Sequence, residues 1–190
     1  AILITHHHAD HVGGVKALLE QYPVPVFGPA GETIPAITNP LKETDSLMVD
    51  PDFPLFRVID TPGHTSGHIC YLAENKLFCG DTLFAGGCGR LLGGTAPELF
   101  QSLQKLKHLP SDTEIYCAHE YTQANLRFAQ AVESDSDALQ QRIRQVQQLR
   151  DAGKATIPSV MCEERATNPF LRSELPQIKK AAETYAGGPL

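Results

Sequence analysis

AILITHHHADHVGG, residues 1–14, sets five potential metal ligands into the six positions that follow a short apolar run ending at Thr5. Side chains two apart in an extended segment point the same way. His6 and His8 are therefore expected to converge on one side, with His7 directed to the other. Asp10 and His11 follow where the chain must turn, and Gly13-Gly14 permit a tight exit into a helix. The turn sets a second pair of ligands beside the first. Helical zinc motifs space their histidines i,i+4; the pattern here is H-x-H-x-D-H. A merely solvated histidine cluster, or the remnant of a purification tag, fits poorly with a run lodged between Ile-Thr and Ala-Asp-His.

Three further candidate ligands share one kind of placement. His64 follows the strand-like LFRVIDT (55–61) and the break Pro62-Gly63, Asp81 follows Leu77–Cys79 and Gly80, and His119 follows Ile115–Ala118. Loops at strand ends, held by a rigid scaffold, are where sites are built. His6, His8, Asp10, His11, His64, Asp81 and His119 make seven donors, enough for two metals sharing one carboxylate. Imidazole with carboxylate suits zinc, iron or manganese better than calcium or magnesium, and no cysteine falls among these positions. Two such ions about 3.5–4 Å apart can activate water and polarise a carbonyl or phosphoryl oxygen, which is hydrolytic chemistry. His7 is expected to support its own loop, His68 to serve in hydrogen bonding, and His108 to be exposed. Cys79 and Cys88 lie near the site without a basic partner, which argues against a thiol nucleophile. The glycine-rich AGGCGRLLGGT (85–95), directly after Asp81, reads as an irregular loop whose backbone approaches a ligand.

Periodicity predicts a helix over 12–21, a short strand at Val26-Phe27, irregular chain over 30–46, and a hairpin of 69–72 with 77–79. A helix from Pro97 through Leu106, one capped by Thr122, a longer one from Ser136 to Gly153 and an amphipathic segment near 178–185 follow. The Gln and Arg residues of the helix from Ser136 to Gly153 read as its solvated face. The chain closes on Gly187-Gly188-Pro189. Strands dominate to residue 118 and helices after it, so a layered α/β domain with a helical C-terminal region is expected.

The 190 residues carry a net charge of -6, which gives no electrostatic reason to expect nucleic acid or an anionic membrane as a partner. No apolar run reaches the ~18 residues of a membrane span, and no signal peptide is visible. Five scattered cysteines without a CxxC pair read as reduced thiols of a cytoplasmic protein. The chain opens at Ala1, inside what reads as a buried strand, so a fragment of a longer protein is expected.

THHHADHVGG (5–14), TPGHTSGH (61–68) and CGDTLF (79–84) resemble the metallo-β-lactamase superfamily. GCGR (87–90), AHEYT (118–122) and TNPFLR (167–172) narrow the resemblance to glyoxalase II, the hydroxyacylglutathione hydrolase family, in its bacterial form. The resemblance runs from Ala1 to about Arg172. It implies an αββα sandwich with metals at one edge of two packed sheets, in residues 1–120, and a C-terminal helical substrate-binding region in 121–190. It implies His6, His8 and His64 on one divalent ion, Asp10, His11 and His119 on a second, and Asp81 between them. Zinc is the leading metal, with iron or manganese as alternatives. The implied substrate is an S-(2-hydroxyacyl)glutathione such as S-D-lactoylglutathione, hydrolysed by a metal-held hydroxide in the second step of methylglyoxal detoxification. Asp10 and Asp81 would serve catalysis, Asp10 by orienting the hydroxide. Arg90 and Tyr121 would contact glutathione; Leu92 stands where some members carry an aromatic residue. A monomer is expected.

Two departures qualify the resemblance. Members usually begin with strands and a helix before the metal loop and end in a basic segment that grips glutathione. Truncation at both ends is therefore expected, leaving residues 1–5 at an unpaired edge; as a whole polypeptide the chain would fold poorly and turn over little. Other readings compete for the same residues. A β-lactamase generally lacks aspartate at position 81, and a tRNA-processing nuclease wants a basic surface. An iron-dependent persulfide dioxygenase shares the metal loop and GCGR but not HEYT or NPFLR. A metal-binding fragment without catalysis is the reading from outside enzymology.

Overall fold

The computed structural model describes residues 1–188, so Pro189 and Leu190, the end of the expected C-terminal region, lie outside the described residues. The elements in order are β1 (Ile2–Leu3), α1 (Ala9–Val12), α2 (Val15–Gln21), β2 (Val26–Pro29), β3 (Asn39–Leu41), β4 (Ser46–Leu47), β5 (Phe56–Asp60) and β6 (Ile69–Ala73). They continue with β7 (Lys76–Gly80), β8 (Leu83–Phe84), β9 (Gly87–Cys88), α3 (Ala96–Lys107), β10 (Glu114–Cys117) and α4 (Thr122–Val132). The chain ends with α5 (Asp137–Asp151), β11 (Ser159–Val160), α6 (Met161–Thr167) and α7 (Pro176–Ala186).

Alternation along β6 builds the layers. All five residues of this strand, ICYLA, are buried, so both its faces are covered. Ile69 and Tyr71 join Val58, Leu41 and Leu47, with Leu3 and Phe27, in a core between two sheets. Cys70 and Leu72 face the other way, into Leu77, Cys79 and Ile115 and the Leu99–Leu103–Leu106 stripe of α3. The smaller sheet has the order β1-β2-β3 and the larger β11-β10-β7-β6-β5-β4. Val15 of α2 packs with Ile4 and Val26 on the outside of the smaller sheet. The layer order is thus helix, sheet, sheet, helix: the αββα sandwich expected from the resemblance.

The opening segment is tied to both sheets. β1 runs parallel to β2 at the edge of its sheet, Ile4 N–H donates to Phe27 O at 2.8 Å, and Ile69 N–H donates to Thr5 O at 3.0 Å. The Tyr71 hydroxyl donates to Ile4 O at 2.7 Å, pinning the strand from the opposite sheet.

Several expectations need correction. The helix over 12–21 is two pieces, since the chain turns at Gly13-Gly14 between α1 and α2. Residues 30–46 contain β3 and the start of β4, which are too short to leave a periodic signal. The start of the glycine-rich loop forms β9, which pairs back on β8 as a small hairpin, Leu83 with Cys88. Thr122 is the first helical residue of α4, and Tyr121 takes the N-cap place without a side-chain cap. Arg142 of α5 is not solvated: it is 2% exposed, with hydrogen bonds to Glu164 and Thr167.

α3 begins as its sequence dictates. Thr95 accepts from Glu98 N–H while Glu98 accepts from Thr95 N–H, a capping box with proline in the first turn. Gly63, at φ +142°, lets the turn before His64 lie on this helix; a Cβ there would sit 2.5 Å from Leu99 Cα. Ser102 of α3 donates to Pro62 O at 2.7 Å, fixing the same turn.

Candidate metal centre

The seven expected donors come together at the ends of β1, β5, β7 and β10. His8 Nδ1 lies 3.1 Å from His6 Nε2 and 3.0 Å from His64 Nε2, so these three rings face a common point. Asp10 Oδ2 lies 3.3 Å from His119 Nε2 and 3.6 Å from His11 Nε2, which gathers the second three. Asp81 sits between. Its carboxylate is 3.6 Å from His64, 3.5 Å from His119 and 3.2 Å from His11. His6, His64 and Asp81 are buried, His8, His11 and His119 are half-buried, and the Asp10 side chain is 60% exposed at the mouth.

Two observations fit this cluster to metal. His11 Nε2 and Asp81 Oδ1 are buried without a hydrogen-bond partner although they face each other, an arrangement that a cation would satisfy. Burial, with His68 and His11 nearby, pushes the His6 imidazole down to about 2, and burial also lowers His8, so both rings keep a free lone pair. Burial works against the Asp81 carboxylate, yet His11, His119 and His6 around it hold its pKa below the ordinary value. All seven donors are nitrogen or oxygen, the set expected for zinc, iron or manganese.

The outer contacts orient these ligands. Thr5 Oγ1 lies 3.1 Å from His6 Nδ1, and His64 Nδ1 donates to the Arg90 carbonyl at 2.8 Å, leaving the Nε2 atoms to the centre. His68 does what the sequence suggests. Its Nε2 accepts Asp81 N–H at 3.1 Å, and its Nδ1 meets the hydroxyls of Thr61 and Thr82 at 3.0 Å. Burial first, then the neighbouring histidines, hold its pKa down to about 3. Gly80 makes room for this: at φ +48°, a Cβ there would lie 2.7 Å from His68 Nε2 and 2.6 Å from Thr5 Oγ1.

Arg90 is exposed at the rim. Tyr121 is half exposed and stacks on His119 at 5.0 Å between ring centroids. Leu92, also exposed, follows in the same loop. The hairpin that leads to Arg90 is held from the C-terminal region. Gly86 N–H donates to Glu164 at 2.9 Å, Asn168 Nδ2 donates to Gly87 O at 2.9 Å, and Asn125 Nδ2 donates to Ala85 O at 3.0 Å. His7 turns away from the centre, as expected, and binds Glu32. The thiols near the site are inert in character: burial pushes Cys88 up to about 12, Cys70 up to about 12 and Cys117 up to about 11.

Sequence reasoning missed Glu32, Glu164 and Asn168. Glu32 lies in the turn-rich stretch 30–46 with no periodicity to single it out. The buried pair of Arg142 and Glu164 had a visible signal, because Arg142 lies three residues after Leu139 and four before Val146, on the apolar stripe of α5.

Residues 1–119 match the family profile described as metallo-beta-lactamase superfamily, and residues 120–187 match that described as hydroxyacylglutathione hydrolase C-terminus. A hydroxyacylglutathione hydrolase of Alkalilimnicola ehrlichii is 55% identical over 98% of this chain and 73% of its own length. One of Halorhodospira halophila is 51% identical over the same shares. Among solved structures, ETHE1 from Myxococcus xanthus superposes with a TM-score of 0.68 at 26% identity, over 93% of this chain and 64% of that one.

Proposed function

The chain belongs to the hydroxyacylglutathione hydrolase family of the metallo-β-lactamase superfamily, and from that premise we propose that it cleaves S-(2-hydroxyacyl)glutathione thioesters to a 2-hydroxy acid and glutathione. S-D-lactoylglutathione is the first substrate, in the second step of methylglyoxal detoxification. The observation that carries this reading is the position of Asp81, within 3.6 Å of a ligand from each triad. It supports two divalent ions sharing one carboxylate, with zinc first and iron or manganese next. His6, His8 and His64 would hold one ion, Asp10, His11 and His119 the other, and Asp81 both. Such ions supply Lewis acidity, which activates water near neutral pH and polarises a carbonyl.

The chain's own residues supply the rest. Asp10, at the mouth, is placed to accept a hydrogen bond from the attacking water and fix its direction. Asp81 brings the charge that lets two cations lie close. Arg90, whose carbonyl meets His64, and Tyr121, stacked on His119, would take the anionic glutathione arm from the rim. A thiolate leaves readily near neutral pH, so no strong general acid is needed. Residues 1–120 are then the metal-binding part and 121–190 the substrate-binding region.

We place the protein in the cytoplasm, a reducing compartment that suits its five free cysteines, and take it as a monomer. No helix among the described residues is long and apolar enough to cross a membrane. The family match over 120–187 favours the hydrolase over a persulfide dioxygenase. The test is hydrolysis of S-D-lactoylglutathione by the zinc-loaded protein beside Asp81→Ala. Turnover lost in the variant supports the reading; equal rates in both, or none with two zinc ions bound, reject it.

A further inference from the structure

Glu32 is a buried carboxylate with a divided set of partners. Its side chain is 2% exposed, and its two oxygens serve different loops. Oε2 accepts from His7 N–H at 2.6 Å and lies 2.8 Å from His7 Nδ1, between the ligands His6 and His8. Oε1 accepts from the Thr65 hydroxyl and, at 3.3 Å, from Gly67 N–H, beside the ligand His64. The fit is tight, since a Cβ at Gly67 would lie 2.5 Å from Glu32 Cγ. All these partners flank His6, His8 or His64. None belongs to His11, His119 or the bridging Asp81.

We propose that Glu32 is a positioning residue for one metal only, clamping together the two loops that carry His6, His8 and His64. It touches neither ion nor substrate. It fixes the distance between the two loops that must converge on that ion, while the Asp10–His11–His119 triad is set by α1 and the end of β10. A carboxylate suits the task because each of its oxygens accepts more than one donor. Glutamine in its place would turn an amide N–H₂ toward one loop's donors, and aspartate would fall short by a methylene. The inference rests on the ligand assignment proposed above.

The experiment separates the two triads. Zinc affinity is measured by competition with a chromophoric chelator in His119→Ala, which keeps His6, His8 and His64, and in His8→Ala, which keeps Asp10, His11 and His119. Glu32→Gln is then added to each. The expected result is zinc binding about 10–100-fold weaker in the first background, the usual effect of removing an outer partner of a ligand, and unchanged in the second. Equal weakening in both, or none in the first, overturns the proposal. If neither background binds zinc, the ligand assignment falls and the proposal with it. Should Glu32→Gln fail to fold, Thr65→Val in the same backgrounds removes one arm of the clamp, and a symmetric effect there is equally fatal. Melting of the metal-free proteins gives the structural contribution separately, and a shift there without the asymmetry in zinc binding also counts against positioning.

Discussion

His64 Nδ1 donates its hydrogen to the backbone carbonyl of Arg90 at 2.8 Å. The residue whose side chain is proposed to bind glutathione therefore steadies a proposed metal ligand with its main chain. The two roles are separable because they use different parts of one residue.

Arg90→Ala keeps the carbonyl and removes only the guanidinium. It should retain the metal content of the parent protein and raise KM by about 10-fold or more with kcat nearly kept, the worth of a hydrogen bond to a charged group. Gly89→Ala should do the opposite, because a Cβ there would overlap the Asp81 carbonyl and crowd His64 Nδ1. Zinc content and steady-state kinetics of the two variants, side by side, decide it; loss of zinc in Arg90→Ala would contradict the division of labour.

Arg142 and Glu164 form a buried ion pair in which Glu164 is fully buried and also accepts from Gly86 and Asn168. Arg142→Met leaves that charge uncompensated, which should cost about 3–5 kcal/mol of stability. Arg142→Met with Glu164→Leu should recover part of the loss while leaving Gly86 N–H without its acceptor. Denaturant melts measure the stability, and a rise in KM for the double variant reports slackening of the hairpin.

Glu133 at the end of α4 pairs with Arg172 of the TNPFLR stretch, and both side chains are 14% exposed. The hydrogen bond from Arg172 comes first in holding the Glu133 pKa below its ordinary value. A carboxyl lowered by folding stabilises the native state above its unfolded pKa, and that contribution is lost as pH falls through the folded one. Glu133→Gln should therefore lower the melting temperature at neutral pH and flatten its fall in acid. Identical slopes of melting temperature against pH below the ordinary glutamate value of 4.5 in the two proteins would dismiss the pair.

How much of this was legible in the sequence depended on the range over which each contact is made. The alternation that brings His6 and His8 together is local, and a period of two is fixed by the pleat. His64, Asp81 and His119 stand out because each follows an apolar run at a break, although only the sheet order brings them together. Glu32 meets partners 25, 33 and 35 residues away, through loops with no period, and nothing nearby marks it. Arg142 lies on the apolar stripe of α5, where position on the helix outranks charge. β3 and β4 exist through pairing with neighbours, which short segments do not announce.

The bonds from Glu164 and Asn168 to the β8–β9 hairpin have a bearing on the order in which the enzyme comes into being. Gly86 waits for a residue 78 positions downstream, and Gly87 for one 81 positions downstream. On the ribosome, His6, His8, His64 and Asp81 are all made before the side chains that hold the loop backing His64. The nascent chain thus passes through a stage in which most of its proposed metal ligands have emerged and the loop behind one of them is still unanchored. Translation must reach the helices of the second half before the first half is a finished catalyst.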